Sequence, residues 1–317
     1  MKMIGFIAIL LIVFLVSISM GAVEINPFNM TDLEQSIMLR VRLPRVLMAG
    51  LIGAALALSG VLFQYVMKNP LADSFTTGVS ASSAVGAVVA ILLGISELIP
   101  LFALLGGIGG LYLVYNIASY KEYTQPITML LAGIVLSTFA TSLISLMKYF
   151  SSDGVSSIIF WLMGGFQGAA PLKVLSLFIA LILSFLIVRI DYLKLDIICF
   201  DDATACGAGI DVNKMRKKLF FIAALLTAFS VGYAGIIGFV GLIIPHLIRL
   251  SGLVKASVLL PSSLLIGASF MMATDLIARI ILRNGQELPV GIITSTVGGI
   301  FFMYLLMKRK KELYYFS

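Results

Sequence analysis

Long apolar runs broken by short polar intervals fill almost the whole chain. They fall at about 3–23, 46–67, 75–95, 98–119, 126–148, 172–190, 218–236, 237–252, 258–281 and 289–307. A helix needs roughly 20 apolar residues to cross a bilayer. The pattern therefore predicts an all-α, polytopic membrane protein with about ten transmembrane helices in a single domain, 1–317. The first run, behind Lys2, exceeds the roughly 7–15 residues of a signal-peptide core and reads as a retained span. The eighth run is short and interrupted by Pro245. Residues 155–166, with Trp161, Gly164 and Gly165, are too short to span and read as a re-entrant or surface helix.

One stretch breaks the rhythm. Residues 191–218 carry Asp191, Asp196, Asp201, Asp202 and Asp211, then Lys214, Arg216, Lys217 and Lys218. This island is too polar to cross a bilayer, yet it lacks the low complexity of a slack linker. It reads as a structured surface that meets a soluble partner, the docking site of a separate motor subunit.

Composition sharpens the class. With 60% hydrophobic and 12% charged residues and a mean hydropathy of +1.10, an ordinary soluble domain is excluded. The net charge of +7 reflects basic residues gathered on the cytoplasmic side of a membrane and does not point to nucleic acid. The C-terminal Lys308-Arg309-Lys310-Lys311 predicts that both termini are cytoplasmic; fifteen of the 22 Lys and Arg then lie on that side. Arg40, Arg42 and Arg45 lie on the other side, against the rule. A single histidine leaves no histidine-cluster metal site, and no G-x-x-x-x-G-K-[ST] phosphate loop occurs. No metal, ATP or other cofactor is expected in this chain. Cys199 and Cys206 both fall in the cytosolic island, where a structural disulfide is not expected. The apolar body shows no catalytic triad or paired carboxylates, and few ionisable groups that could relay protons or bind Na⁺. Both an intramembrane enzyme and a gradient-driven carrier fit poorly, so the driving energy is expected from a partner.

Four constellations stand out. Arg42-Leu43-Pro44-Arg45 opens the second span, with the proline suited to a first helical turn. It reads either as interfacial snorkelling or as a docking patch for an acidic partner. Asn69-Pro70-Leu71-Ala72-Asp73 closes that span, and Gly78-Val79-Ser80 opens the next; a helix break alone explains both. Asp275 and Arg279 are four apart on one helical face. They read as an ion pair that lowers the cost of burying charge in the membrane, or as a group in which Arg279 joins Arg42 and Arg45. His246 and Arg249 follow Pro245, and a lone histidine is more often structural than a ligand.

Taken in order, these pieces resemble the iron-chelate and vitamin B12 permease family of type II ABC importers. The resemblance covers residues 40–307 and rests on several motifs: Arg42-Leu-Pro-Arg45, Gly53 to Gly60 with Gln64, Asn69 to Asp73, Gly238 to His246 with Arg249, and Asp275 and Arg279 followed by Leu288-Pro-Val-Gly291 with Thr294. It implies a homodimer, or a dimer with a close paralogue, in the cell membrane around a central pathway. Two cytosolic ATPases, which bind the ATP and Mg, would drive it, and an extracytoplasmic binding protein would feed it. It further implies two short helices in the island, about 191–217, that dock on the ATPase through Asp201, Asp202, Ala205 and Gly209. Arg42, Arg45 and Arg279 would meet acidic residues of the binding protein. Gln64, Asn69, Pro70, Ser80, Pro245 and His246 are candidates for the pathway or its gate. The chain departs from the family pattern at Asp201 and Asp202, where Gly and Glu are usual, and at Ser74, Ser82 and Ile300. The expected cargo is a ferric siderophore or haem. A corrinoid is the alternative, and a gradient-driven transporter is the reading from another class.

Overall fold

The computed structural model describes residues 2–21, 31–120, 123–151, 154–199, 201–282 and 286–314. Helices dominate them: α1 (Lys2–Ser19), α2 (Asp32–Ile37), α3 (Leu43–Met67), α4 (Val79–Leu92), α5 (Ile99–Ala118), α6 (Pro126–Phe150), α7 (Val155–Leu162), α8 (Pro171–Arg189), α9 (Tyr192–Ile198), α10 (Asp202–Gly207), α11 (Val212–Ala234), α12 (Val240–Leu250), α13 (Ala256–Ile280) and α14 (Val290–Tyr314). The only strand pairing among the described residues is a two-residue ladder, Ser119–Tyr120 against Tyr123–Thr124, between α5 and α6. Among the described residues, seven helical segments are long and apolar enough to cross a membrane, and α4, α12 and the Val290–Leu305 part of α14 are shorter apolar helices.

α3 is the axis. Thr31 and Glu34 form a reciprocal capping box that starts α2, and a π-helical segment, Met38–Arg42, joins α2 to α3 without a break. Nearly all of α3 is buried, packed against α13, α11, α12 and α8. Lipid offers no hydrophobic drive between helices, so close backbone approach has to supply the packing. A Cβ on Gly53 would lie 2.2 Å from the Gly267 carbonyl oxygen of α13, and one on Gly60 would lie 2.0 Å from that of Gly241 on α12. Ser82, a departure from the family pattern, fits because α5 presents glycines to it: a Cβ on Gly110 would meet the Ser82 hydroxyl at 2.3 Å.

Two of the expected spans contract. α4 starts at Val79 because Asp73 folds the preceding residues into a capped turn. Its Oδ1 accepts from the N–H groups of Phe75 and Thr76 at 3.1 and 2.9 Å, while the Thr76 hydroxyl accepts from Asp73 N–H at 2.8 Å. α12 starts at Val240 because Phe239 adopts a left-handed φ of 67°, uncommon for a residue with a side chain. At about 1.5 Å per residue, neither α4 nor α12 reaches the roughly 30 Å of a hydrocarbon core. The seventh span begins earlier than its hydropathy suggests. Asp211 caps α11 by accepting from Lys214 N–H at 3.0 Å, so the basic run is helical.

The short α7 does not span. Its C-terminal turn is seated between the end of α11 and the start of α14: Gly165 N–H donates to Ala234 O at 2.9 Å, and the Val290 and Gly291 N–H groups donate to Gly164 O and Met163 O, each at 3.1 Å. The long helices run between two ends of the bundle. One carries α9 and α10, and the other carries Arg42, Arg45 and Arg279.

Candidate functional site at the two ends of the bundle

At the island end, α9 and α10 are two short helices held by carboxylates that point into the chain. Asp191 is buried and bridges Lys194 at 2.8 Å and Lys218 at 2.6 Å. Burial raises its pKa, but the two ammonium groups outweigh that and hold it below the ordinary carboxylate value. Asp196 accepts from Ala256 N–H at 2.8 Å and so caps the first turn of α13. Asp201 caps α10 by accepting from Thr204 N–H at 2.7 Å. Ala205 is fully buried, whereas Gly209, with φ +78°, opens onto empty space.

Asp202 faces inward. Its carboxylate takes Arg216 Nη2 on both oxygens, at 2.8 and 2.9 Å, and Lys68 Nζ at 2.7 Å. Partial burial pushes its pKa up, but Lys68 and Arg216 outweigh this and leave it below the ordinary value. Arg216 is almost wholly buried and donates from Nη1 to Thr124 O at 3.2 Å. Thr124 N–H in turn donates to Asn213 at 3.2 Å. The island is thus joined to the end of α3, to α11 and to the α5–α6 hairpin.

The pathway candidates divide. Pro245 has no N–H to give the Gly241 carbonyl four residues earlier, and Gln64 of α3 supplies the missing donor, Nε2 to Gly241 O at 3.2 Å. The Gln64 Oε1 accepts from Arg249 Nη1. Gln64, Pro245 and Arg249 therefore form one unit. Asn69 stands just beyond it: its Oδ1 accepts from Leu71 N–H at 2.9 Å across Pro70. Gln64, Lys68, Asn69, Pro70, Cys199 and Arg249 line a cavity of about 200 Å³, together with Tyr65. Ser80 lies apart, buried at the start of α4 with its N–H on Ser74 O at 3.0 Å. His246 packs edge-on against Phe301 of α14, 6.2 Å between ring centres, and lies tilted against Phe302 at 6.1 Å.

At the opposite end the three arginines converge. Arg45 donates from Nε to Asp275 Oδ1 at 3.0 Å, and its Nη1 lies 2.8 and 2.9 Å from the two Glu287 oxygens. Arg279 holds the other Asp275 oxygen at 3.0 Å, the i,i+4 pair expected on α13. Its remaining donors reach Met20 O and Ser17 O, each at 3.0 Å. Arg42 donates to Ile18 O at 2.9 Å and Ser19 O at 3.1 Å. Four carbonyls at the end of α1 thus find donors from the π-helical segment that leads into α3 and from α13, which meets the need of a helix C-terminus. All three arginines are buried within the chain.

Lys68 and Glu287 were not singled out in the sequence, and Arg216 stood there only as one member of the island's basic run. Lys68 offered a clue, as the charged residue at the break between two apolar runs. Glu287 offered none, since its partner Arg45 is 242 positions away.

A family model described as the FecCD transport family matches residues 9–308. The chain is 34% identical over 291 residues to the cobalamin import system permease protein BtuC of Halobacterium salinarum, covering 89% of this chain and 76% of that protein. It is 35% identical over 295 residues to the molybdate import system permease protein MolB of Haemophilus influenzae, covering 92% and 85%. Among solved structures, a metal-chelate type ABC transporter in an inward-facing conformation superposes with a TM-score of 0.88 at 32% identity, covering 96% of this chain and 98% of that one.

Proposed function

We propose, from the fact that this chain belongs to the FecCD transport family of ABC importer permeases, that it carries a bulky metal chelate inward in an ATP-driven cycle. The observation that carries the reading is the island. It is a polar module at one end of an apolar bundle, pinned by Asp191, Asp196 and Asp202 to α11, α13 and α3. A surface so fastened can receive force from a soluble ATPase and pass it to the spans. The island end faces the cytoplasm in this reading, as the basic residues there require, and both termini lie on that side. The arginine end faces outward and receives a binding protein.

α6 supports a pathway between two copies. Thr138, Thr141, Ser142 and Ser145 recur at helical spacing on an exposed face. Each hydroxyl donates to the carbonyl four residues earlier, at 2.8–3.0 Å. A hydroxyl that has spent its proton still accepts hydrogen bonds. The face therefore offers weak polar contacts along an otherwise apolar helix, suited to passing cargo without holding it.

The first-choice cargo is an iron chelate, a ferric siderophore or haem. A corrinoid is the second reading, favoured by the name of the archaeal relative. Uptake into proteoliposomes holding the permease, its ATPase and its binding protein, with a ferric siderophore, haem, cyanocobalamin and molybdate in competition, separates them. ATP-dependent uptake of molybdate alone would overturn the chelate reading. A gradient-driven carrier fits poorly, because the buried carboxylates outside the island are, among the described residues, committed: Asp73 to its turn and Asp275 to two arginines.

A further inference from the structure

Lys68 is an odd residue for its position. It ends α3 in a left-handed conformation, φ 48° and ψ 34°, where glycine or asparagine is the usual choice. A side chain tolerated there needs a compensating contact, and Lys68 has one in the 2.7 Å ion pair to Asp202. The next residues are the Asn69–Gly78 connection, which leads through the buried Asp73 turn into α4. On the other side of the pair, Arg216 fixes the same carboxylate to α11. One carboxylate thus stands between the island and the connection that sets where α4 begins.

We infer that the Lys68–Asp202 pair is the positioning link that carries movement of the island to the α3–α4 connection. Asp202 acts inside the chain and is not a contact for the motor subunit. The link rests on the reading above, in which an ATPase docks on the island. Arg216 keeps α10 on α11 throughout the cycle, while Lys68 couples α10 to the connection. Cutting the Lys68 arm alone leaves the Arg216–Asp202 pair, and with it the fold of the island, in place.

The test uses the complete importer in nanodiscs and reads two quantities: ATPase retained per permease chain, and stimulation of ATP hydrolysis by the binding protein across the membrane. Lys68→Met removes the charge. Lys68→Gly removes it while giving the left-handed position its preferred residue. Lys68→Arg keeps the charge. Met and Gly are expected to retain the ATPase at wild-type stoichiometry and to lose about ten-fold in stimulation, within the usual range of coupling between sites. Arg is expected to keep it. If Lys68→Gly is stimulated like the wild type, the side chain does not transmit and the inference is overturned. If Lys68→Met loses the ATPase itself, Lys68 belongs to the docking surface and the inference is likewise overturned. If the wild-type chain retains no ATPase, it is the importer reading that fails.

Discussion

Gln64 donates to the Gly241 carbonyl at 3.2 Å, in place of the backbone N–H that Pro245 cannot provide. A side chain of α3 thus completes the hydrogen bonding of α12, and its other end accepts from Arg249. Leaving a buried polar group unsatisfied costs about 1–3 kcal/mol. Gln64→Leu is expected to destabilise the detergent-solubilised protein by about that amount. Pro245→Ala, which restores the N–H, should make Gln64→Leu less damaging. Thermal unfolding of the two single variants and the double variant checks this, and simple additivity would show that the two residues are independent.

Asp275 is fully buried between Arg45 and Arg279. Removing one partner of a buried ion pair costs about 3–5 kcal/mol, because the remaining charges stay buried without compensation. Asp275→Asn should therefore lower the melting temperature sharply, more than Glu287→Gln, whose carboxylate is partly exposed. Equal shifts for the two variants would contradict this.

The arginine end has two roles in this account. Changing Arg42, Arg45 and Arg279 to Glu should weaken association with the binding protein, most at low salt, where charges act furthest. It should also loosen α1, whose last carbonyls Arg42 and Arg279 hold. Binding measured at two salt concentrations tests the first effect, and protease release of α1 tests the second. Unchanged affinity would leave Arg42 and Arg279 as caps of α1 and Arg45 as the partner of Asp275 and Glu287.

Gly209 holds a φ of +78° with open space around it. A bulky residue there strains the backbone by about 1–2 kcal/mol and protrudes from the island surface. Gly209→Trp should uncouple ATP hydrolysis from transport without unfolding the bundle. Transport at the wild-type rate per ATP hydrolysed would remove the island from the coupling surface.

The island should also loosen in acid. The folded pKa of Asp202 lies below its unfolded value, so its contribution is complete above about pH 3.9. It is lost as the pH falls through the lower folded value, and Asp191 behaves in the same way. Pepsin cleavage around residues 199–211 should rise over that window. Asp202→Asn should already be susceptible above it.

The spans were legible because a bilayer demands about 20 apolar residues per crossing, and that demand is local. The ion pair of Asp275 and Arg279 was legible for the same reason, since both lie on one face of one helix. Where local chemistry competed with hydropathy, the pattern misplaced the ends. α4 starts late because of the Asp73 turn, and α11 starts early because Asp211 caps a basic first turn. Contacts between distant residues left no trace. Nothing in the sequence around Asp202 names Lys68, nor does anything around Gln64 name Gly241, because packing of the whole bundle makes those partnerships.

The most direct test of the importer reading is a mild-detergent pull-down of the tagged chain from its own cells, with its stoichiometric partners identified. An ATPase carrying a phosphate-loop motif, one per permease chain, is the expected partner. Purification of the chain alone as an active, ion-gradient-driven carrier would contradict it.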